Sequence, residues 1–157
     1  MHAVRPQRPE SSWDNRRKVN GPVHARSAGT GRDRPLVLIV EDQQELRHLY
    51  VQQLTISGFD VIEARDGAEA ITHTTSREPD VVLMDLSLPV LDGWEATRRL
   101  KNDKRTSHIP VVALTAHDGS GELQRATRAG CDWFVPKPCP PDALIIEVRR
   151  VLGGYRP

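Results

Sequence analysis

The feature that most limits the fold of this chain is a repeated alternation between short apolar runs and longer amphipathic segments. The first run, Leu36–Val40, has five apolar residues, as is typical of a strand buried on both faces of a parallel sheet. In residues 43–57 the side chains of Leu46, Leu49, Tyr50 and Leu54 recur at helical spacing, and Gly58 follows where a helix C-terminal glycine is expected. These residues predict one strand followed by one helix.

The same alternation recurs four more times. Further strands are expected at 59–63, 81–84, 109–114 and 133–135. Two helices are expected to start near Asp66 and Asp92, and a third to span about 118–129 and end at Gly130. The last helix carries an apolar face formed by Leu144, Val148, Val151 and Leu152. Asp66 and Asp92 each open an Asp-x-x-Glu pattern, which indicates a reciprocal helix cap. Five strands alternating with five helices predict an α/β fold with a doubly wound five-stranded parallel sheet.

Charge and composition divide the chain into unequal parts. Residues 1–34 hold 8 Lys and Arg against 3 Asp and Glu, so this segment is about +5 and the remainder about −4. Its prolines, glycines and scattered apolar residues predict a disordered basic extension, followed by one domain at 35–153 and a short tail at 154–157. The Arg16-Arg17-Lys18 run could contact nucleic acid or an acidic partner. A solvated tail, or a start codon placed upstream of the true one, is the simpler interpretation.

The sequence offers little support for export or membrane insertion. No apolar stretch near the start has the roughly 7–15 residues of a signal peptide, and none approaches the roughly 20 residues of a membrane span. The two cysteines, Cys131 and Cys139, are not spaced as metal ligands or as a disulfide framework. We expect them to fill space in a protein of the reducing cytoplasm.

Three carboxylates follow two of the predicted strands. Glu41 and Asp42 come directly after the first strand, and Asp85 follows the third. In doubly wound sheets, ligands bind beyond the carboxyl ends of the strands, where the strand order switches. If these two strands are neighbours, the carboxylates converge, and a hard cation such as Mg²⁺ would offset their repulsion.

The last two strands end in groups suited to a phosphoryl ligand. Thr115 ends the fourth strand with a hydroxyl donor, and Lys137 follows the fifth with an ammonium. Taken singly, each residue has a simpler reading: Asp42 with Glu45 could cap a helix, Thr115 could be an ordinary strand residue, and Lys137 a surface charge. The placement of all five polar groups at the ends of four strands favours one site, with an Asp nucleophile as in phosphoryl transfer.

These residues resemble the motifs of the response-regulator receiver family over about residues 35–153. The matching elements are Glu41-Asp42, Asp85 to Pro89 with Leu91-Asp92-Gly93, Thr115-Ala116 and Lys137-Pro138, and the spacings of 43, 30 and 22 residues between Asp42, Asp85, Thr115 and Lys137 are similar too. The resemblance implies the flavodoxin-like fold of that family and an acyl phosphate on Asp85. The donor would be a histidine of a sensor kinase or of a histidine phosphotransfer protein. Such a domain catalyses only its own phosphorylation and slow dephosphorylation.

The same resemblance implies roles for further residues. Glu41, Asp42, Asp85 and the Ser87 backbone carbonyl would hold Mg²⁺, with Mn²⁺ as a substitute. Thr115 and Phe134 would form the switch, and the Lys137-Pro138 bond would be cis. His117 and Ser87 stand where the family tunes acyl-phosphate lifetime. Trp133 replaces a usually small or acidic residue, and Gly119 and Gly121 weaken the start of the fourth helix by roughly 1 kcal/mol each.

Output is expected to be a change in partner binding. Because only a few residues follow the last helix, the resemblance suggests a stand-alone, chemotaxis-type regulator without an output domain. Its unidentified downstream protein would bind at the fourth helix, fifth strand and fifth helix, with a phosphorylation-dependent homodimer as a further arrangement. Binding to nucleic acid and membrane insertion are not expected.

Other classes fit the sequence less well. A haloacid-dehalogenase-type phosphohydrolase needs a second Asp where Ser87 stands. A flavodoxin-like electron carrier needs a glycine- and hydroxyl-rich turn after the first strand, where acids stand instead. A docking domain that is never phosphorylated remains as an alternative.

Overall fold

A computed structural model of the protein describes residues 31–116 and 120–153. The expected disorder of the extension up to residue 30, the tail at 154–157, and the expectations for His117 and Gly119 lie outside these residues. The described elements alternate strictly between strand and helix, in the order β1 (Leu36–Val40), α1 (Gln44–Ile56), β2 (Asp60–Ala64), α2 (Gly67–Arg77), β3 (Val81–Asp85), α3 (Gly93–Asn102), β4 (Val111–Thr115), α4 (Ser120–Ala129), β5 (Trp133–Pro136) and α5 (Pro141–Val151).

The five strands form one parallel sheet in the order β2-β1-β3-β4-β5. The predicted fold class is therefore confirmed. The strand order reverses direction at β1, so β1 and β3 are neighbours and the switch point lies between them. Val40 pairs with Met84 in this register, so the residues that follow β1 emerge beside the end of β3.

Apolar side chains cover both faces of the sheet. Leu38 and Val40 point to one buried cluster, and Val37 and Ile39 point to the other, because successive side chains of a strand alternate between faces. In each of the strands β1, β3 and β4, all five residues are buried. Each large apolar side chain removed from water in this way contributes roughly 1.5–3 kcal/mol to the hydrophobic term.

The first helix buries only part of its apolar residues. Leu46, Leu49, Tyr50 and Leu54 recur at helical spacing, but Leu49 is 41% exposed. The buried positions of α1 are Arg47, Tyr50 and Leu54. Arg47 therefore occupies part of the buried face of α1, a position that a hydrophobicity pattern alone would not predict for a charged residue.

Side-chain caps start two helices where the sequence predicted them. Asp66 accepts from the Glu69 N–H at 2.9 Å, and Asp92 accepts from the Glu95 N–H at 2.8 Å. The reciprocal half of each cap differs from the prediction: the Glu69 carboxylate accepts from the Arg65 N–H, while Glu95 pairs with arginines of its own helix. Gly58 and Gly130 have φ of +98° and +92° after α1 and α4, which confirms both predicted glycine stops.

Two arginines attach the segment before β1 to the amino end of the sheet. Arg34 donates to the Gly58 and Thr55 carbonyls at 3.0 and 2.9 Å, at the C-terminus of α1. Arg32 donates to the Glu78 and Arg77 carbonyls at the C-terminus of α2. Guanidinium groups suit these positions because the last carbonyls of a helix lack partners within it and carry partial negative charge.

No helix among the described residues is long and apolar enough to cross a membrane. Both cysteines are buried and neither forms a disulfide bond, in agreement with their expected role as filling residues. Burial raises the pKa of the Cys131 thiol to about 12, which disfavours its reactive thiolate.

Candidate phosphoryl and cation site

Three carboxylates meet at the carboxyl end of the sheet. Glu41 and Asp42 follow β1, and Asp85 is the last residue of β3. One oxygen atom from each of the three lies within 4.8 Å of the others. Glu41 and Asp85 are buried, whereas Asp42 is exposed. The predicted convergence is therefore confirmed, and it follows from the adjacency of β1 and β3.

Lys137 lies against two of these carboxylates. Its Nζ is 2.5 Å from Glu41 Oε2 and 3.2 Å from Asp85 Oδ2, and its side chain is only 15% exposed. The alternative that Lys137 is a surface charge is therefore wrong. Its backbone N–H donates to the Thr115 carbonyl at 2.6 Å, so β4 positions the start of this segment. The Lys137-Pro138 bond is cis, as expected.

The charges at this edge perturb one another. Burial raises the pKa of Glu41, and the nearby Asp85 charge adds to this, while the hydrogen bond from Lys137 acts in the opposite direction. Burial alone would lower the pKa of Lys137, but its bonds and charge interactions with Glu41 and Asp85 together raise it. The ammonium is therefore held in its charged form beside a carboxylate that is costly to ionise.

Asp42 does not cap the first helix. The N-cap residue of α1 is Gln43, and its side chain makes no capping hydrogen bond, so the predicted alternative for Asp42 and Glu45 is wrong. The Glu41 side chain instead accepts from the Gln43 N–H at 3.1 Å. This bond fixes one Glu41 oxygen, while the exposed Asp42 carboxylate projects from the same turn.

The segment after β3 is held close to Asp85. The Ser87 N–H donates to Asp85 Oδ1 at 3.0 Å, and the Gly93 N–H bonds to the Leu86 carbonyl at 3.3 Å. A Cβ at Gly93 would collide with the Asp85 carbonyl oxygen, so only glycine permits this approach of α3. The contribution of the Ser87 carbonyl to a cation site stays a prediction.

The Thr115 hydroxyl donates to the carboxylate of Glu122, in the first turn of α4. Thr115 is 3% exposed, and this bond gives its side chain a partner beyond the strand. Phe134 lies in the same core cluster as Ala113 and Ala126 and is 7% exposed. Trp133 is also buried, and its indole N–H donates to Glu147 of α5 at 3.0 Å.

Sequence reasoning missed two residues that contact the predicted site. Arg47 reaches back from α1 to the Glu41 and Asp42 backbone, and Glu122 accepts from Thr115. Arg47 could have been noticed as a charge on the 47–50–54 stripe of a helix that also carries Tyr50 and Leu54. No sequence signal links Glu122 to Thr115, because that contact depends on where α4 packs.

The chemistry of the donors fits a hard divalent cation. Mg²⁺ prefers oxygen ligands and is usually held by one or two carboxylates together with waters and phosphate oxygens. Glu41, Asp42 and Asp85 supply three carboxylate groups within one small volume. Lys137 adds a positive charge in contact with two of them, Glu41 and Asp85.

The fold and this site define a class: a doubly wound α/β domain with an acidic centre at the switch point of its sheet. Residues 37–149 match the family model of the response regulator receiver domain. The chain therefore belongs to the response regulator receiver family, as the motifs predicted.

Known relatives and structures agree with this assignment. The polar-differentiation response regulator DivK of Brucella ovis is 36% identical over 117 residues, which are 74% of this chain and 95% of the relative. The chemotaxis response regulator CheY4 of Vibrio cholerae is 27% identical with a TM-score of 0.72, over 76% of this chain and 99% of that one. The receiver domain of sensor histidine kinase PA1611 from Pseudomonas aeruginosa, solved with a magnesium ion coordinated in its active site cleft, is 30% identical. Its TM-score is 0.71, over 76% and 98% of the two chains.

Proposed function

We propose that this receiver domain accepts a phosphoryl group on Asp85 from a phosphohistidine of a sensor histidine kinase or a histidine phosphotransfer protein. The observation that carries the proposal is the convergence of Asp85 with Glu41, Asp42 and Lys137 at one edge of the sheet. Asp85 is suited to the role because it ends a buried strand, is 6% exposed and has one oxygen held by the Ser87 N–H.

The chemistry assigned to this site is a phosphoryl transfer between two side chains. An Asp85 oxygen forms a bond to phosphorus, the bond from phosphorus to the donor imidazole nitrogen breaks, and the imidazole leaves with that electron pair. Lys137 pairs with the negative charge of the phosphoryl oxygens. Glu41, Asp42, Asp85 and the Ser87 carbonyl would hold Mg²⁺, or Mn²⁺ in its place, which neutralises charge on the transferring group.

The readout proposed for phosphorylation starts at Thr115. Its hydroxyl has one proton, so it cannot donate fully to Glu122 and to a phosphoryl oxygen at the same time. A phosphoryl group brings close to two negative charges and new acceptor oxygens. It therefore competes with Glu122 for Thr115, and the first turn of α4 loses a contact with the strand when Thr115 turns away.

Phe134 is the second residue of the proposed switch. Its ring is buried in the same core cluster as Ala113 and Ala126. When Thr115 turns towards a phosphoryl oxygen, the ring is expected to rotate inward into the space that Thr115 leaves beneath α4, and so to change its packing against that helix.

The proposed output is altered affinity for a downstream protein at the surface of α4, β5 and α5, including a homodimer as one arrangement. The similarity to DivK and CheY4 supports a regulator in a two-component phosphorelay. We propose the cytoplasm as its location and a signalling role rather than turnover of a substrate.

The direct test is phosphorylation with acetyl phosphate and Mg²⁺, followed by intact-mass measurement. Wild-type protein should gain one adduct of about 80 Da, the mass of the added phosphoryl group. Asp85→Asn should gain none. Asp92→Asn is the matched control, because Asn caps a helix as well as Asp does and the change lies in the same loop. An equal adduct in Asp85→Asn would overturn the assignment of the acceptor.

A further inference from the structure

Arg47 connects the acidic turn to the neighbouring strand. Its Nη1 donates to the Glu41 carbonyl at 2.8 Å and lies 3.4 Å from the Asp42 carbonyl. Its Nε donates to Glu63 Oε2 at 3.0 Å. Glu63 belongs to β2, on the other side of β1 from Asp85. One guanidinium therefore contacts the backbone of both acids that follow β1.

The burial of Arg47 makes these contacts consequential. Its side chain is only 8% exposed, and a buried guanidinium is costly unless its N–H groups have acceptors. The Glu41 and Asp42 carbonyls and the Glu63 carboxylate supply them. Since a guanidinium is planar and presents its donors in a rigid fork, it fixes the directions of these acceptors better than a lysine would.

Holding the carbonyls also sets the direction of the carboxylates. Each peptide unit is planar, so a fixed carbonyl fixes the plane that joins its residue to the next. The Glu41 and Asp42 planes determine where both side chains leave the backbone. The Gln43 N–H then holds one Glu41 oxygen. The exposed Asp42 carboxylate has no such bond among the contacts described for it, so its direction depends mainly on the placement of its backbone.

We propose that Arg47 is a positioning residue for the cation site: it holds the backbone of Glu41 and Asp42 in the arrangement that a divalent ion requires, and Glu63 holds Arg47. This inference rests on the proposed function, in which these acids bind Mg²⁺. Arg47 contacts neither the ion nor the phosphoryl group in this role. Groups that orient metal ligands typically change metal affinity by about 10–100-fold when they are removed.

The test is a Mn²⁺ titration followed by the electron paramagnetic resonance signal of the free ion, with unfolding in urea measured in parallel without metal. Arg47→Gln should bind Mn²⁺ at least about tenfold more weakly than wild type. Arg47→Lys, which offers a point charge instead of a fork, should recover only part of the loss. Glu63→Gln should weaken binding in the same direction but less, because its amide oxygen still accepts.

Arg34→Met is the matched control. Arg34 also donates to two backbone carbonyls, at 3.0 and 2.9 Å, but at the opposite end of the sheet. It should lose stability and keep the wild-type affinity for Mn²⁺. A second readout is the Mg²⁺ dependence of phosphorylation by acetyl phosphate. In Arg47→Gln the half-saturating Mg²⁺ concentration should rise by about the same factor while the plateau rate stays near that of wild type.

Each outcome decides between the proposals. Wild-type Mn²⁺ affinity in Arg47→Gln would overturn the positioning role while leaving the cation site intact. If Arg47→Gln does not fold, wild-type affinity in both Arg47→Lys and Glu63→Gln would overturn it equally. Wild-type protein that binds neither Mn²⁺ nor Mg²⁺ would refute the proposed function, and the role of Arg47 with it.

Discussion

At the scale of single residues, the positions of the polar residues at the carboxyl edge could be predicted because the apolar runs show where the strands end. Asp85, Thr115 and Lys137 stand directly after apolar runs, so their positions at the carboxyl edge followed from the strands alone. Side-chain partners could not be predicted in the same way. Lys137 reaches Glu41, 96 positions away, and the contact from Arg47 to Glu63 joins different elements. Such pairs depend on the finished packing, which no local spacing encodes.

Asp42 and Asp92 should separate cation binding from helix capping. Asp42→Ala removes an exposed carboxylate of the acidic cluster, so Mg²⁺ affinity should fall by a factor of about ten or more. Asp92→Ala removes the side chain that accepts from the Glu95 N–H. It should cost about 1 kcal/mol of unfolding free energy with little change in affinity. Calorimetric Mg²⁺ titration and urea unfolding of both variants measure the two effects, and equal losses of affinity would refute the ligand role of Asp42.

At the scale of elements, the number and order of helices and strands were predictable, whereas their exact ends were not. β2 begins at Asp60 and runs to Ala64, one residue later than expected at both ends, and β4 begins at Val111 instead of residue 109. Short apolar runs do not mark where pairing starts, because pairing depends on the neighbouring strand. The attachment of α4 to β4 through Glu122 was also invisible in the sequence.

The contact between α4 and β4 should bias the switch. Replacing Glu122 by Gln exchanges a charged acceptor for a neutral one, which should weaken the bond from Thr115 by about 1 kcal/mol and raise the population of the activated arrangement about fivefold. Beryllofluoride, an acyl-phosphate mimic, defines the activated endpoint for NMR. Without the mimic, shifts at residues 120–135 in Glu122→Gln should move part of the way towards that endpoint.

Thr115→Ala provides the complementary variant. It should keep most of the phosphorylation yield but respond weakly to beryllofluoride, because no hydroxyl remains to turn towards the new acceptor. Full-sized shifts in Thr115→Ala, in the wild-type direction, would show that Thr115 does not couple the site to α4.

At the scale of the whole molecule, the two ends of the sheet have separate tasks. The carboxyl end holds the acidic cluster and Lys137. At the amino end, Arg32 and Arg34 bond to helix C-termini. The parallel order of the strands produces this division, and the fold class predicted from the sequence placed the polar site at the carboxyl end. The contacts of Arg32 and Arg34 were not predicted, because the sequence assigned residues 1–34 to a disordered extension. Only the structure shows which strands are neighbours. From the sequence, the carboxylates were expected to converge only if β1 and β3 are adjacent.

Cation binding at one end should stabilise the entire domain. An ion that binds only the folded state raises the unfolding free energy, by about 2.7 kcal/mol when its free concentration is 100 times its dissociation constant. Urea unfolding of wild type should therefore shift to higher urea with Mg²⁺ and return when EDTA removes it. At the same Mg²⁺ concentration Asp42→Ala should gain clearly less. An equal gain in both proteins would place the ion elsewhere.

The order of the strands also bears on self-association. β2 and β5 are the edges of the sheet, and exposed edges invite pairing with other chains. β2 carries exposed charges at Asp60 and Glu63, while β5 has only four residues and ends in Pro136, which has no N–H to donate. Both edges therefore disfavour continuation of the sheet into a second molecule, and we expect any contact between copies to use helix surfaces instead.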